Sequence, residues 1–131
     1  MKISTKTRYG LRAMIYLAQK EKDEYCPLKE IADSQEISFD YLEKIIAELR
    51  EESLVESHRG VQGGYCLSKT ASQIKVGEII RALEGNNLVN CISEEGSCPQ
   101  ADNCLAKKVW KKLQEEINKS LDSITLKDLI K

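Results

Sequence analysis

Three cysteines lie close together in the one segment of the chain that has no regular apolar repeat. They are Cys91, Cys98 and Cys104, and the same segment contains Gly96 and Pro99. Thiolates bind zinc and iron-sulfur clusters, and zinc sites usually show a C-x2-4-C spacing. Because that spacing is absent and cluster loops tolerate wider gaps, the pattern favours an iron-sulfur cluster. Zinc and a metal-free loop remain the alternatives.

A cluster usually takes four protein ligands, whereas this segment offers three thiolates. The fourth ligand is not named by the sequence. The other two cysteines, Cys26 and Cys66, are interpreted as small, partly buried residues, and the only histidine, His58, as a structural one. Since no nucleophile-histidine pair, metal-hydrolase arrangement or phosphate-binding loop is present, we expect no enzymatic activity.

The composition limits the class of protein. The chain has 131 residues, 41% of them hydrophobic and 31% charged, with a formal net charge of -1. At about 100 to 200 residues per domain, this is one domain or a small domain with an appendage. No apolar run approaches the roughly 18 residues of a membrane span, and the first residues do not resemble a signal peptide. We therefore expect a cytoplasmic protein that is not bound to a membrane.

The first 70 residues predict a winged helix-turn-helix domain. Three stretches repeat apolar residues at the spacing of a helix face: Leu11, Met14, Ile15 and Ala18; then Leu28, Ile31 and Ala32 after Pro27; then Leu42, Ile45, Ile46 and Leu49 after a Ser38 N-cap. Only residues 35–37 separate the second helix from the third, which is typical of a helix-turn-helix. Residues 54–58 and 65–67 predict two strands around a glycine-rich loop, the wing.

The rest of the chain predicts three further parts. A connecting helix that ends at Gly85 falls within residues 71–90, the cysteine loop spans 91–104, and residues 105–131 form a long helix and a short one capped by Thr125 and Asp128. The long helix has an apolar face with little chain left to cover it, so a partner chain is expected. The predicted fold class is mainly α with a small β-wing, a winged helix-turn-helix plus a long C-terminal dimerisation helix.

Candidate DNA contacts follow from the predicted domain. The start of the second helix of a helix-turn-helix enters the major groove, and the candidates there are Ser38, Asp40, Tyr41, Glu43 and Lys44. The five acids within residues 38–52 repel phosphate, so affinity must come from other residues. The candidates for this role are Lys2, Lys6, Arg8 and, beside the glycine-rich loop, Arg59 with Gly60. A plain hairpin turn is the alternative for that loop.

The chain resembles a known family, the IscR-like winged-helix regulators. The resemblance is carried by Met1-Lys2-Ile3-Ser4-Thr5-Lys6, Arg8-Tyr9-Gly10-Leu11, Tyr41-Leu42-Glu43, Arg59-Gly60, Gly63-Gly64-Tyr65, Val76-Gly77-Glu78-Ile79-Ile80, the three cysteines, Trp110 and Ile124-Thr125-Leu126. It implies a homodimeric transcription factor on a palindromic operator, with the cysteines as ligands of a cluster, [2Fe-2S] in preference to [4Fe-4S]. It also implies that Glu43 reads bases and that Arg59 enters the minor groove.

The chain departs from the family pattern at several positions. Lys107 stands where the family has its fourth ligand, a histidine, so an oxygen donor (Glu94, Glu95 or Asp102), a partner-chain residue or an exogenous ligand would replace it. Asp40 stands where the cluster-sensing regulator has a serine. Arg8 stands where the nitric-oxide-sensing relatives have a carboxylate. The cysteine-metabolism relatives lack the three cysteines and are expected to fit less well.

The leading hypothesis is a repressor that senses iron-sulfur or redox status and binds a double-stranded DNA operator as a homodimer. One alternative is a nitric-oxide- or thiol-responsive repressor without a stable cluster. The other is a winged-helix protein-interaction module, which would bind a regulatory protein partner in place of DNA.

Overall fold

The computed structural model describes residues 2–21, 24–60, 63–86 and 105–130. The cysteines Cys91, Cys98 and Cys104 therefore lie outside the described residues. Within them are six α-helices and two strands: α1 (Thr5–Ala18), α2 (Leu28–Gln35), α3 (Phe39–Glu51), β1 (Val55–His58), β2 (Gly64–Leu67), α4 (Val76–Glu84), α5 (Ala106–Asp122) and α6 (Leu126–Leu129). The mainly α fold class with a small β-wing and a long C-terminal helix is confirmed.

Local capping explains the turn between α2 and α3. Glu36 ends α2 in the left-handed conformation, with φ 55° and ψ 45°, and its N–H donates to the carbonyl of Ala32. Ile37 is buried inside the turn, so the connection is held by the core. The Ser38 hydroxyl then accepts from the N–H of Tyr41 at 3.1 Å and caps α3 as predicted. These contacts produce the predicted helix-turn-helix.

The wing is a two-stranded antiparallel sheet. Val55 pairs with Leu67 at its base and His58 pairs with Gly64 at its outer end. Cys26 adds a further rung, because its N–H and carbonyl exchange two hydrogen bonds of 2.8 Å with Tyr65. A Cβ at Gly64 would lie 2.3 Å from the Cys26 carbonyl oxygen, so only glycine fits beside this rung. The segment before α2 thereby fixes the wing to the helices.

The apolar core lies between α1, α2, α3 and α4. Its largest fully buried apolar side chains include Met14, Ile31, Leu42, Ile45 and Ile79. The predicted inner face of α1 was only partly right. Leu11 and Ile15 are half-buried, whereas Ala13 and Leu17 are buried.

The C-terminal helices are attached to this core at one end. Leu126 is fully buried, and its N–H donates to Ile74, while the N–H of Val76 donates to Ile124. Thr125 and Asp128 form the predicted capping box of α6, although Ile130, predicted within that helix, is its C-cap. None of the residues of α5 is buried. No described helix is long and apolar enough to cross a membrane.

Gly10 sets the distance between α1 and α4. A Cβ at this position would lie 2.2 Å from Leu83 Cδ1 and 3.2 Å from Ile45 Cγ2. We expect Gly10→Ala to lower the free energy of unfolding by about 1 to 3 kcal/mol through overpacking, which outweighs the gain in helix propensity of up to about 1 kcal/mol. Urea titration measures this difference.

Leu83→Ala provides the matched background for that test. Without Leu83 Cδ1, the new methyl group has room, and Gly10→Ala should cost little or should stabilise the protein. An equal loss in both backgrounds would contradict the proposed contact.

Candidate nucleic-acid interface

The first turns of α3 present a mixed polar surface. Ser38, Asp40, Glu43 and Lys44 are exposed, as predicted. Tyr41, predicted to be exposed, is half-buried. Its ring meets the ring of Tyr9 edge-on, with centroids 5.9 Å apart, because α1 lies against this side of α3. Asp40 and Glu43 place negative charge at the end of the helix that would face DNA.

The basic residues of the N-terminus differ in their partners. Lys6 Nζ lies 3.2 Å from a carboxylate oxygen of Glu48, so it neutralises one of the acids of α3. Lys2 and Arg8 are exposed, and Arg8 donates to the hydroxyl of Thr5 at 3.0 Å. The structure therefore brings Lys6 beside the C-terminal half of α3, where its pairing with Glu48 lowers the repulsion of phosphate.

The outer end of the wing carries Arg59 and Gly60, both exposed. Strand β1 is tied to the last turn of α3, because Arg50 donates to the hydroxyl of Ser57 at 3.2 Å. The next residue, His58, lies against the ring of Tyr25, with centroids 4.8 Å apart. The wing is thus held against the last turn of α3, as a protein that contacts two grooves requires.

A carboxylate that the sequence analysis missed joins three parts of this frame. Glu30 Oε2 on α2 accepts from the Tyr16 hydroxyl at 2.5 Å, from the Cys26 thiol at 3.1 Å, and pairs with Lys20 Nζ at 2.9 Å. Tyr16 and Lys20 belong to α1 and its C-terminal end, and Cys26 pairs with strand β2. The i,i+4 spacing of Cys26 with Glu30, and of Tyr16 with Lys20, is the only sequence signal of this cluster.

The cluster shifts the ionisation of its members. Hydrogen bonds from Tyr16, Cys26 and Lys20 lower the pKa of Glu30 to about 2. Burial, with the nearby Glu30 carboxylate as the second cause, raises the pKa of the Cys26 thiol to about 12. Cys26 is therefore a protonated hydrogen-bond donor near neutral pH. This state disfavours its use as a nucleophile or metal ligand, which act as thiolates.

The cysteine segment connects two described helices. It starts after the end of α4 and ends just before α5, where Lys107 is half-buried in the first turn. The three cysteines and the oxygen donors Glu94, Glu95 and Asp102 lie outside the described residues. Within the described part, no three histidine, cysteine or carboxylate side chains are grouped as a metal site.

The N-terminal half of α5, together with the preceding Leu105, carries an apolar surface. Leu105, Val109 and Trp110 are 77%, 58% and 37% exposed. Leu113 and Ile117 continue the stripe toward the end that packs on α4, and both are half-buried. An exposed apolar stripe of this kind is typical of a surface that packs against another protein surface.

The helix-turn-helix, its wing and the long projecting helix define a winged-helix DNA-binding protein. The profile of the Rrf2 family, described as an iron-dependent transcriptional regulator, matches residues 3–131, and the chain belongs to this family. The predicted IscR-like resemblance is confirmed. Because the relatives found are transcriptional regulators, the chain is a transcriptional regulator and not an enzyme.

Individual relatives cover almost the whole chain. The HTH-type transcriptional regulator IscR of Yersinia enterocolitica is 40% identical over 131 residues, which are 99% of this chain and 79% of that protein. The structure of T. potens IscR has a TM-score of 0.78 and 44% identity, covering 99% of this chain and 86% of its own. CymR, the global cysteine regulator of B. subtilis, has a TM-score of 0.78 and 40% identity, with 99% and 96% coverage. The fold alone therefore does not separate the two types.

The Glu30 cluster predicts a pH-dependent contribution to stability. A carboxylate whose pKa is lowered by folding stabilises the folded state above its unfolded pKa, near 4.5, and the gain is lost as the pH falls toward 2. Glu30→Gln should therefore lower the free energy of unfolding near neutral pH, and its difference from the wild type should shrink between pH 4.5 and 2. Because the Glu30 side chain is 44% exposed, the effect is smaller than the full shift implies.

Urea midpoints of wild type and Glu30→Gln at pH 7, 4.5 and 3 test this. Glu51→Gln, on the exposed part of α3, controls for the loss of a surface carboxylate. A difference between wild type and Glu30→Gln that stays constant over this range would refute the role of the cluster.

Proposed function

We propose that the chain is a repressor that responds to iron-sulfur status and binds a palindromic operator as a homodimer. The observation that carries the proposal is the connection made by the cysteine segment. In a chain of a family described as iron-dependent, three cysteines lie between the helix that packs on the DNA-binding domain and the helix that projects from it. We divide the chain into four parts: the winged helix-turn-helix domain (residues 1–70), the connecting helix (71–90), the cysteine segment (91–104) and the two C-terminal helices (105–131).

The DNA contacts would divide into base readout and positioning. Glu43, exposed on α3, is suited to accept a hydrogen bond from a cytosine amine in the major groove. Asp40, one turn before Lys44, lies on the same exposed side. Arg59 and Gly60, at the outer end of the wing, are suited to a narrow minor groove. Lys2, Lys6 and Arg8 would contact phosphates, and Ser38, Tyr41 and Lys44 are the remaining candidates for contacts in the major groove.

The exposed apolar stripe of α5 supports a symmetric dimer. A second copy presents the same stripe, so two α5 helices can cover each other in an isologous interface. A twofold axis between two winged helices matches an operator with two inverted half-sites. The dimer would then repress transcription by occupying the operator.

The donor set fits an iron-sulfur cluster held by Cys91, Cys98 and Cys104. The thiolates match the ligands that clusters prefer, and we favour [2Fe-2S] over [4Fe-4S]. Protonated Lys107 has no lone pair for iron, so the fourth ligand would be an oxygen donor, a residue of the partner chain or an exogenous ligand. When bound, the cluster supplies a redox- and iron-dependent constraint on the ends of α4 and α5.

A second candidate function is a protein-interaction module that has lost DNA readout. The acidic surface of α3 favours this alternative, since Asp40, Glu43 and Glu51 are exposed there. A salt titration of DNA binding separates the two, because a DNA-binding protein loses affinity steeply as salt rises. An interaction module would form no operator-sized complex at any salt concentration.

The proposed DNA contacts predict different effects for substitutions at Arg59 and at Glu43. Arg59→Ala should weaken binding to the operator by roughly 1 to 3 kcal/mol, whereas Glu43→Ala should mainly reduce discrimination at one base position by a similar amount. Fluorescence anisotropy with an operator and its point variants measures both. Equal losses on operator and random DNA for Glu43→Ala would refute its role as a base reader.

The proposed cluster makes a prediction for the central cysteine. Cys98→Ala should purify under anaerobic conditions without the iron, the acid-labile sulfide and the visible absorption of the wild type, because it loses one thiolate ligand. Its far-ultraviolet circular dichroism should be unchanged. Cys66→Ala, which removes a buried wing thiol, is the control and should keep the colour. Equal iron and sulfide in wild type and Cys98→Ala would contradict the ligand assignment.

A further inference from the structure

Phe39 combines an unusual exposure with an unusual position. It is the only phenylalanine of the chain and the first residue of α3. Phe39 is 45% exposed, whereas the large aliphatic residues of α3, namely Leu42, Ile45, Ile46 and Leu49, are at most 1% exposed. Single exposed apolar residues are common, so the exposure alone carries no function. Phe39, however, lies at the end of α3 that would face DNA, where an exposed apolar side chain can contact a base.

The geometry of the helix places Phe39 beside the proposed base reader. Residues four apart lie on the same side of a helix, and side chains tilt toward the N-terminus. Phe39 therefore stands one turn ahead of Glu43 at the leading end of α3. The Ser38 cap, which accepts from the Tyr41 N–H at 3.1 Å, fixes the backbone on both sides of Phe39.

The charges around Phe39 limit what it can contact. Asp40 and Glu43, both exposed, are its acidic neighbours, and they repel phosphate. A contact that adds affinity at this end of α3 must therefore reach past the phosphates to the base edges. Among the features that base edges present in the major groove, the C5-methyl group of thymine is the apolar one.

We propose that Phe39 is a specificity-determining residue that packs against the C5-methyl group of a thymine. This inference rests on the proposed entry of α3 into the major groove. One helical turn spans about 5.4 Å and one base step about 3.4 Å, so the thymine lies roughly one to two base pairs from the pair that Glu43 reads. Phe39 thus adds an apolar preference to the polar readout by Glu43.

Replacing single thymines by uracil tests this, since uracil lacks only the methyl group. The probe is a duplex enriched by the full-length wild-type protein from a random-sequence pool, with each thymine replaced in turn. For wild type, replacement at one position per half-site should weaken binding about threefold to fivefold, as expected for one buried methyl group. For Phe39→Ala, the same replacement should have no effect.

Two variants keep the result interpretable. Phe39→Leu retains an apolar side chain and should keep part of the sensitivity to uracil. Leu129→Ala removes a side chain that is similarly exposed, at 44%, but lies on α6, so its sensitivity should equal that of the wild type. Because Phe39 is 45% exposed, Phe39→Ala should lower the unfolding midpoint only slightly and leave the protein folded.

The outcomes separate this inference from the proposed function. A uracil effect that persists unchanged in Phe39→Ala, or no uracil effect in the wild type, overturns the role of Phe39 while DNA readout stands. Failure to enrich any duplex from the pool overturns operator binding and the role of Phe39 together.

Discussion

The packing of α4 is the constraint on which the rest of the structure depends. Its apolar residues Val76, Ile79 and Leu83 are buried, and α1 and α3 pack against it. On its other side Gly77 lies so close to α5 that a Cβ would be 2.1 Å from Asp122 Oδ1. One helix therefore contacts the DNA-binding domain and the C-terminal helix at the same time.

Polar contacts join α4 to the C-terminal end of α5 and add little to the stability of the protein. Arg81 lies 2.7 Å from Asp122 Oδ1 and also donates to Asn118. Since both members of the ion pair are partly exposed, such a pair contributes at most about 1 kcal/mol, and it joins α4 to the C-terminal end of α5. The cysteine segment leads from the end of α4 to the start of α5, which is the end of α5 opposite to Asp122, so a constraint applied there would act on the angle between the two helices. This is why a cluster in that segment is a reasonable control point for DNA binding.

The parts of the fold that depend on local patterns could be predicted from the sequence. The apolar repeats located the helices, and side-chain chemistry located the caps at Ser38 and Thr125. Contacts between residues distant in sequence could not be predicted in this way. The Glu30 cluster, the contact of Tyr41 with Tyr9 and the close approach at Gly10 all depend on how the helices cross, which no local pattern encodes. The candidate DNA-binding residues were identified by type and position, whereas the pairing of Lys6 with Glu48 required the structure.

In the proposed mechanism, the cysteine segment and the DNA-binding surface are coupled. The most direct measurement is the operator affinity of the wild-type protein, cluster-loaded and cluster-free, at one fixed salt concentration, with iron and sulfide measured on the same samples. Coupling between two sites typically changes affinity 5- to 150-fold, and we expect the operator affinities of loaded and cluster-free protein to differ by a factor in this range. Equal affinity of loaded and cluster-free protein would contradict it.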